Sequence, residues 1–315
     1  MPFFRKMQLY DVLKRFNNQV GDVERYKNLA LVRFFGDDIF RDDVLLLDEA
    51  LQTGQFTVSE VTPMRVDALE AKSTLERTVF IAGGMTVEGD TQNRAVQFPY
   101  FIPARSKATL SVRCVERGQP TQAGTHFRSS TTIVTAAART GDVSQQRTWG
   151  TVSISRDSVG AQTKTEDYVS VAQGAGLEDY LGAFGAARPS QLGYVAAVRN
   201  NGAVFFYSDL FGSNTLYGKL HDRLLQSIAM TARSVSSPQD ISIDRDVFLG
   251  FLTVASSAQL QPQKMVEGAL GNVYLAEQPI AGTAFLYSEV PVQISLRKDQ
   301  AQERHLGLTR AISRP

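Results

Sequence analysis

The chain has 315 residues, 43% of them hydrophobic and 21% charged, a mixture that can bury a substantial core and excludes a disordered chain. Its 33 Lys and Arg against 32 Asp and Glu leave a formal charge of +1, which argues against a general phosphate-backbone binder of nucleic acid. Cys114 is the only cysteine, so no intrachain disulfide forms and a reducing, cytoplasmic setting is expected; no apolar run reaches the ~18 residues that would suggest a membrane span.

In chain order, residues 7–17 place Leu9, Val12, Leu13 and Phe16 at helical spacing, predicting a short amphipathic helix within an N-terminal helical segment over 1–26. The opening MPFFRKMQLYDVLKRF is interrupted by charges and shows no small-residue cleavage site, so it is not read as a signal peptide. KNLALVRFFG is β-prone and ends at Gly36-Asp37-Asp38, and DVLLLDEALQTG reads as a strand end passing into a helix that Gly54 stops. From Phe56 to Val115 the runs FTVSEV, RVDAL, TVFIAGG, RAVQF and ATLSVRCV predict an almost wholly β region. In the last of these, Leu110, Val112 and Cys114 share one face, and Ser111 and Arg113 the other.

The stretch from Gln119 to Gln162 is polar, with a helical turn expected over Val134–Ala138 and a helix over Glu166–Phe184 weakened by Gly174 and Gly176. Asn201-Gly202 between GYVAAVRN and AVFFYSDLF predicts a hairpin through a type I′ turn. Leu220, Leu224, Leu225, Ile228 and Ala232 then mark one face of a helix over Leu216–Ala232, and a further helix is expected over Asp244–Ser256. NVYLAEQP, GTAFLYSE and PVQISLRK read as closing strands, and the polar, basic residues 299–315 as a flexible tail. The fold class is therefore α+β: an antiparallel β-rich core, sandwich-like or curved, with several helices on it. One composite domain is expected over 27–298, β-rich to 118 and mixed beyond.

Chemistry concentrates in the loop from Gly83 to Arg94. Its glycines permit close approach to backbone amides; Gln92 and Asn93 offer donors and acceptors, Arg94 a two-point contact for carboxylate or phosphate, and Glu88 a base or cation ligand. The bland alternative is a tight turn whose Gln-Asn-Arg side chains bond the neighbouring backbone. The spacing matches neither a Walker loop nor a dinucleotide fingerprint. Cys114, on an apolar strand face, is expected to be a buried, unreactive thiol, with Glu116 marking the end of its strand or pairing with Arg94 or Arg117. His126, His221 and His305 share no motif with it, so no Cys-His catalyst, closed zinc set or cofactor is expected. Trp149 is expected to be buried with a bonded indole, and Phe205-Phe206-Tyr207 to serve packing or an oligomer contact.

Several blocks together resemble the ARPP-type family, named for its association with ARG and rhodanese-phosphatase-superfamily proteins. They are LDEALQTGQFTVSEV, VDALEAKSTLERTVFIAGGMTVEGDTQNRAVQF, IPARSKATLSVRCVERG, QQRTW, QLGYVAAVRNNGAVFFYSDLFGS and KLHDRLLQSIAMTA. The resemblance covers roughly residues 27 to 290. Gln92-Asn93-Arg94, Glu88-Gly89 and Cys114-Val115-Glu116 match the family pattern. An acidic pair is replaced by residues in Ala82-Gly83-Gly84, and an Arg-Trp after Gly118 by Gln119-Pro120. That family has no assigned reaction, so the resemblance implies a fold lineage and not a mechanism. Two functional classes follow: a non-catalytic binding or assembly module with a protein partner or a second copy, and an enzyme or small-anion or nucleotide sensor built on Glu88, Gln92, Asn93, Arg94 and Glu116.

Overall fold

A computed structural model describes residues 7–17, 19–90, 92–117, 126–139, 144–160 and 166–298. The chain is α+β and β-rich, and its strands are organised chiefly by two antiparallel sheets. The larger has eight strands, ordered Gln19–Tyr26, Leu29–Phe35, Gln191–Asn200, Ala203–Phe211, Val290–Lys298, Ile280–Tyr287, Asn272–Ala276 and Leu260–Gln263. An N-terminal hairpin thus pairs with strands from the last third of the chain, Val32 opposite Val195. Asn201 and Gly202 both take positive φ, +49° and +78°, which turns Asn200 back onto Ala203 as the residue pair predicts.

Period-two alternation gives this sheet two buried faces. Ala30, Val32, Phe34, Val195, Ala197, Val204 and Phe206 pack with Leu9, Val12 and Phe16 and with Phe248 and Phe251 of the helix Arg245–Ser256. Leu29, Leu31, Tyr194, Ala196, Val198 and Phe211 share the opposite core with the 20-residue helix Asn214–Arg233. Ser213 caps that helix by accepting from the Leu216 N–H, and Leu220, Leu224 and Ile228 on its inner face are wholly buried. Each such side chain contributes about 2 kcal/mol of transfer free energy.

The second sheet is a curled half-barrel of six strands, ordered Arg128–Ile133, Met85–Glu88, Arg94–Val96, Lys107–Cys114, Ala68–Ser73 and Phe56–Glu60. A bridge from Ser59 to His126 and the Phe127 N–H to Val58 C=O bond bring its edges together. Phe56, Val58, Leu69, Ala71, Val87, Val96, Leu110 and Val112, alternate residues of its strands, belong to the shared core.

The structure departs from the sequence expectations in three places. The N-terminal helix spans only Leu9–Leu13, and Gln19–Tyr26 is an edge strand with no buried residue, so it lacks the inward–outward alternation that marks a strand in sequence. The helix expected over Glu166–Phe184 divides into a strand Glu166–Asp167 and helices Tyr168–Gln173 and Glu178–Phe184, with Gly174 at the break and Gly176 in positive φ. The polar stretch holds a strand, Arg128–Ile133, and a 15-residue helix, Gln145–Val159, that were not anticipated. Ser144 at its start and left-handed Gly160 at its end are the capping signals that mark it. The expected tail, residues 299–315, lies outside the described residues. Among those described, no helix is long and apolar enough to cross a membrane.

Candidate functional site

The glycine half of the Gly83–Arg94 loop is closed by packing. Gly84 sits at φ +87°, and a Cβ there would lie 2.6 Å from Cδ of Arg139. Its N–H donates to Val96 C=O, and the Gly83 N–H to Gln293 Oε1 at 3.3 Å. These amides are committed to the fold, so they form no phosphate cradle.

The polar half is drawn together at the end of the half-barrel. Asn93 donates through Nδ2 to Asp167 Oδ1 at 2.9 Å and accepts from the Gly89 N–H at 3.2 Å; its own N–H donates to Glu116 Oε2 at 3.1 Å. Gln92 Nε2 donates to the Glu116 carbonyl at 2.7 Å. Asp167 in turn caps the helix Tyr168–Gln173, accepting from the N–H groups of Val169 and Ser170. Where the strand Lys107–Cys114 runs out, Gln145 grips the Cys114 backbone, accepting from its N–H at 2.9 Å and donating to its carbonyl at 2.8 Å. Gln92, Asn93, Arg94 and Glu116 therefore converge, and all are buried. Glu88 ends its strand half-buried and takes no part in this network.

Arg94 is fully buried, and its acid is not the expected Glu116 but Glu60, from the far edge of the curled sheet. Nη1 of Arg94 donates to Gln92 Oε1 at 2.6 Å and to the Gln92 carbonyl at 3.3 Å. Nη2 stands 3.6 Å from Glu60 Oε1, beyond hydrogen-bond distance, with the Glu60 side chain 4% exposed. Among the described residues, Nε and Nη2 of Arg94 and both Glu60 oxygens have no hydrogen-bond partner. Leaving one such buried group unmatched costs about 1–3 kcal/mol. Burial raises the Glu60 carboxyl above its ordinary range, the Arg94 charge opposing it. Glu60 was missed at the sequence level, although it continues the alternation of Phe56 and Val58 onto the buried face.

Cys114 lies beside this pair, 3% exposed, its thiol donating to Gln92 Oε1 at 3.2 Å and lying 4.0 Å from the Val66 carbonyl. Burial pushes the thiol pKa up, Arg94 working against it, so the thiolate is disfavoured. His221 is remote from it. Buried, with its pKa lowered by that burial, it bridges Tyr217 Oη and the Gly185 carbonyl, each at 2.9 Å. His126 is exposed, and His305 and Gln119-Pro120 lie outside the described residues. Trp149 is half-buried, with the Arg117 guanidinium 5.8 Å from its ring centre; its indole N–H has no partner among the described residues, contrary to expectation. Phe206 stacks on Phe251 at 5.2 Å within the core. Among the described residues, no three His, Cys, Asp or Glu side chains are grouped to hold a metal ion.

A second buried arginine–acid pair was not singled out from the sequence. Arg139 makes a two-point contact with Asp209 at 2.6 and 2.5 Å, and Tyr194 Oη and Ser295 Oγ each donate to the same carboxylate at 2.7 Å. It joins the helical turn Ala136–Arg139 to the large sheet, where Gly84 leaves room for its stem.

Residues 17–296 match the ARPP-1 family, the ARG and Rhodanese-Phosphatase-superfamily-associated Protein domain, and the chain belongs to that family. No curated protein and no solved structure matches it.

Proposed function

We propose that this ARPP-1 family member is a non-catalytic binding or assembly module: one composite α+β unit, working in a cytoplasmic setting, that holds a ligand or partner without transforming it. The observation that carries this reading is the state of the polar cluster at the end of the half-barrel. Gln92, Asn93, Glu116 and Asp167 spend their polar atoms on one another and on backbone, which fixes Arg94. The neighbouring thiol is held protonated by burial, and the buried histidine has both ring nitrogens engaged elsewhere. A rigid frame around an incompletely paired Arg94 and Glu60 suits holding better than nucleophilic attack. The family's association with other proteins fits a partner role.

The alternative, an enzyme or small-anion or nucleotide sensor using the Gly83–Arg94 loop, draws on the open edge of Arg94. It is weakened by the commitment of the Gly83 and Gly84 amides to the fold. Thermal-shift titration with nucleotides, sugar phosphates, carboxylates and carboxamides separates the readings when each stabilising compound is followed by proton NMR with stoichiometric protein. Binding with an unchanged spectrum is expected, and conversion of any compound would replace this reading with the enzyme. Light scattering of the purified chain tests the second-copy form of assembly.

A further inference from the structure

The strands Ala68–Ser73 and Lys107–Cys114 run antiparallel in the half-barrel, and their register sets Lys72 directly opposite Lys107. Like charges facing each other across a strand pair repel, and an anion held between them removes that repulsion. Glu70 approaches Lys107 to 3.6 Å and Glu76 pairs with Arg105, which leaves Lys72 without an acid in ion-pair reach among the described residues. A left-handed backbone position brings in the third cation. Arg105 sits at φ +50°, a region that glycine or asparagine enters more readily, and its N–H donates to the Leu75 carbonyl at 3.0 Å. Its Nε meets Glu76 Oε1 at 2.8 Å, but the two side chains are 71% and 70% exposed, so the pair is weakly held.

The segments Lys72-Ser73-Thr74 and Arg105-Ser106-Lys107, with Glu76, line an open cavity of about 700 Å³. It lies at the other end of the strand Lys107–Cys114 from Arg94, which pairs with Cys114. The hydroxyls of Thr74 and Ser106 donate to the Gln55 and Pro103 carbonyls, at 3.1 and 2.8 Å. They fix the rim, and the cations are left to bind. We propose that this cavity takes a small phosphate-bearing anion, inorganic phosphate or a phosphate monoester. Its oxygens bridge the ammonium groups of Lys72 and Lys107 and accept from Arg105, whose guanidinium releases its exposed contact with Glu76. Charge selects this class. A monocarboxylate brings one negative charge to three cations, whereas a phosphate monoester carries about −1.5 to −2 near neutral pH and three acceptor oxygens. An organic cation would meet three like charges. A basic patch this local, on a chain of formal charge +1, fits a single phosphate better than the phosphate run of a nucleic acid.

This assignment goes beyond the binding reading, adding a ligand class at a place separate from the polar cluster that carries that reading. The test is isothermal titration calorimetry of the full chain at neutral pH in about 0.1 M sodium chloride, which screens loose surface attraction. The probes are inorganic phosphate, glycerol phosphate and acetate. At least one of the two phosphates is expected to bind saturably at about millimolar or tighter, and acetate at least about tenfold more weakly. The tighter of the two phosphates tells free phosphate from monoester as the source. Lys72→Gln is expected to weaken the phosphate at least about fivefold, and Glu76→Gln, which removes the competing acid, to tighten it about twofold or more. Arg105→Gly suits the left-handed backbone, so it should melt near wild type while phosphate binds at least about fivefold more weakly. A purely structural arginine would not separate those two readouts. No saturable binding of either phosphate, acetate binding as strong, unchanged affinity in both Lys72→Gln and Arg105→Gly, or weaker binding in Glu76→Gln would overturn the assignment. Each of these leaves the wider binding reading standing, since only chemical conversion of a bound compound removes that.

Discussion

Two of the buried arginines, Arg139 and Arg94, stand beside acids whose side chains are buried as well, and their surroundings differ. Around Arg139 and Asp209 every carboxylate lone pair in reach is used: two guanidinium bonds, Tyr194 and Ser295 converge on one group. Around Arg94 and Glu60 one guanidinium edge is saturated by Gln92 while the other faces an acid with no bond between them. Sequence treats the pairs alike, since each joins residues far apart in the chain. The difference is that a completed network serves the fold, whereas an incomplete one retains capacity for something else.

The comparison breaks most easily at its structural member. Asp209→Ala strands the Arg139 charge in the core and is expected to cost about 3–5 kcal/mol, read as a large fall in urea midpoint. A loss under about 1 kcal/mol would mean that this network is not what ties the helical turn to the sheet. Arg94→Ala is expected to lower the melting temperature clearly but by less, about 1–3 kcal/mol, because only the Gln92 contacts are close bonds. An equal or greater loss would put both pairs in the same structural class.

A smaller effect sharpens the contrast through pH. Burial raises the Glu60 carboxyl, so the folded chain keeps that proton to higher pH than the unfolded chain does. The stability this group contributes is full below the ordinary carboxylate range and is lost as pH rises through its folded value. Melting of wild type against Glu60→Gln from about pH 4 to 7 should therefore shift progressively in favour of the variant. A constant difference would show that Glu60 titrates normally. The smallest effect is expected from Cys114→Ser, about 1 kcal/mol or less, since a hydroxyl can still donate to Gln92. In the wild type the thiol should label slowly in native buffer and promptly in urea; rapid native labelling would show that the cluster is open to solvent.

Much of the fold was legible in the chain. Alternation in ATLSVRCV placed Leu110, Val112 and Cys114 on the buried face, and the 3.6-residue stripe placed the helix that became Asn214–Arg233. Gln92, Asn93 and Arg94 were singled out in the sequence as candidate ligand-binding residues; the structure buries them together, with partners the sequence did not indicate. Gln145 comes from a stretch whose polarity hid a helix, Asp167 from a strand and cap read as part of one longer helix, and Glu60 from a strand read only for its apolar residues.

By itself, then, the sequence determined which residues face inward, because side-chain periodicity depends only on backbone geometry. It also determined the hairpin at Asn201-Gly202, because two successive positive φ angles are tolerated by few residue pairs. Tertiary structure alone decided that the strands at 19–35 join those after 191, that the sheet carrying Phe56 to Ile133 curls, and that Glu60 meets Arg94 across it. Those outcomes depend on which edges meet after the chain closes on itself. Alternation specifies a face, but it says nothing about the neighbour that face will find.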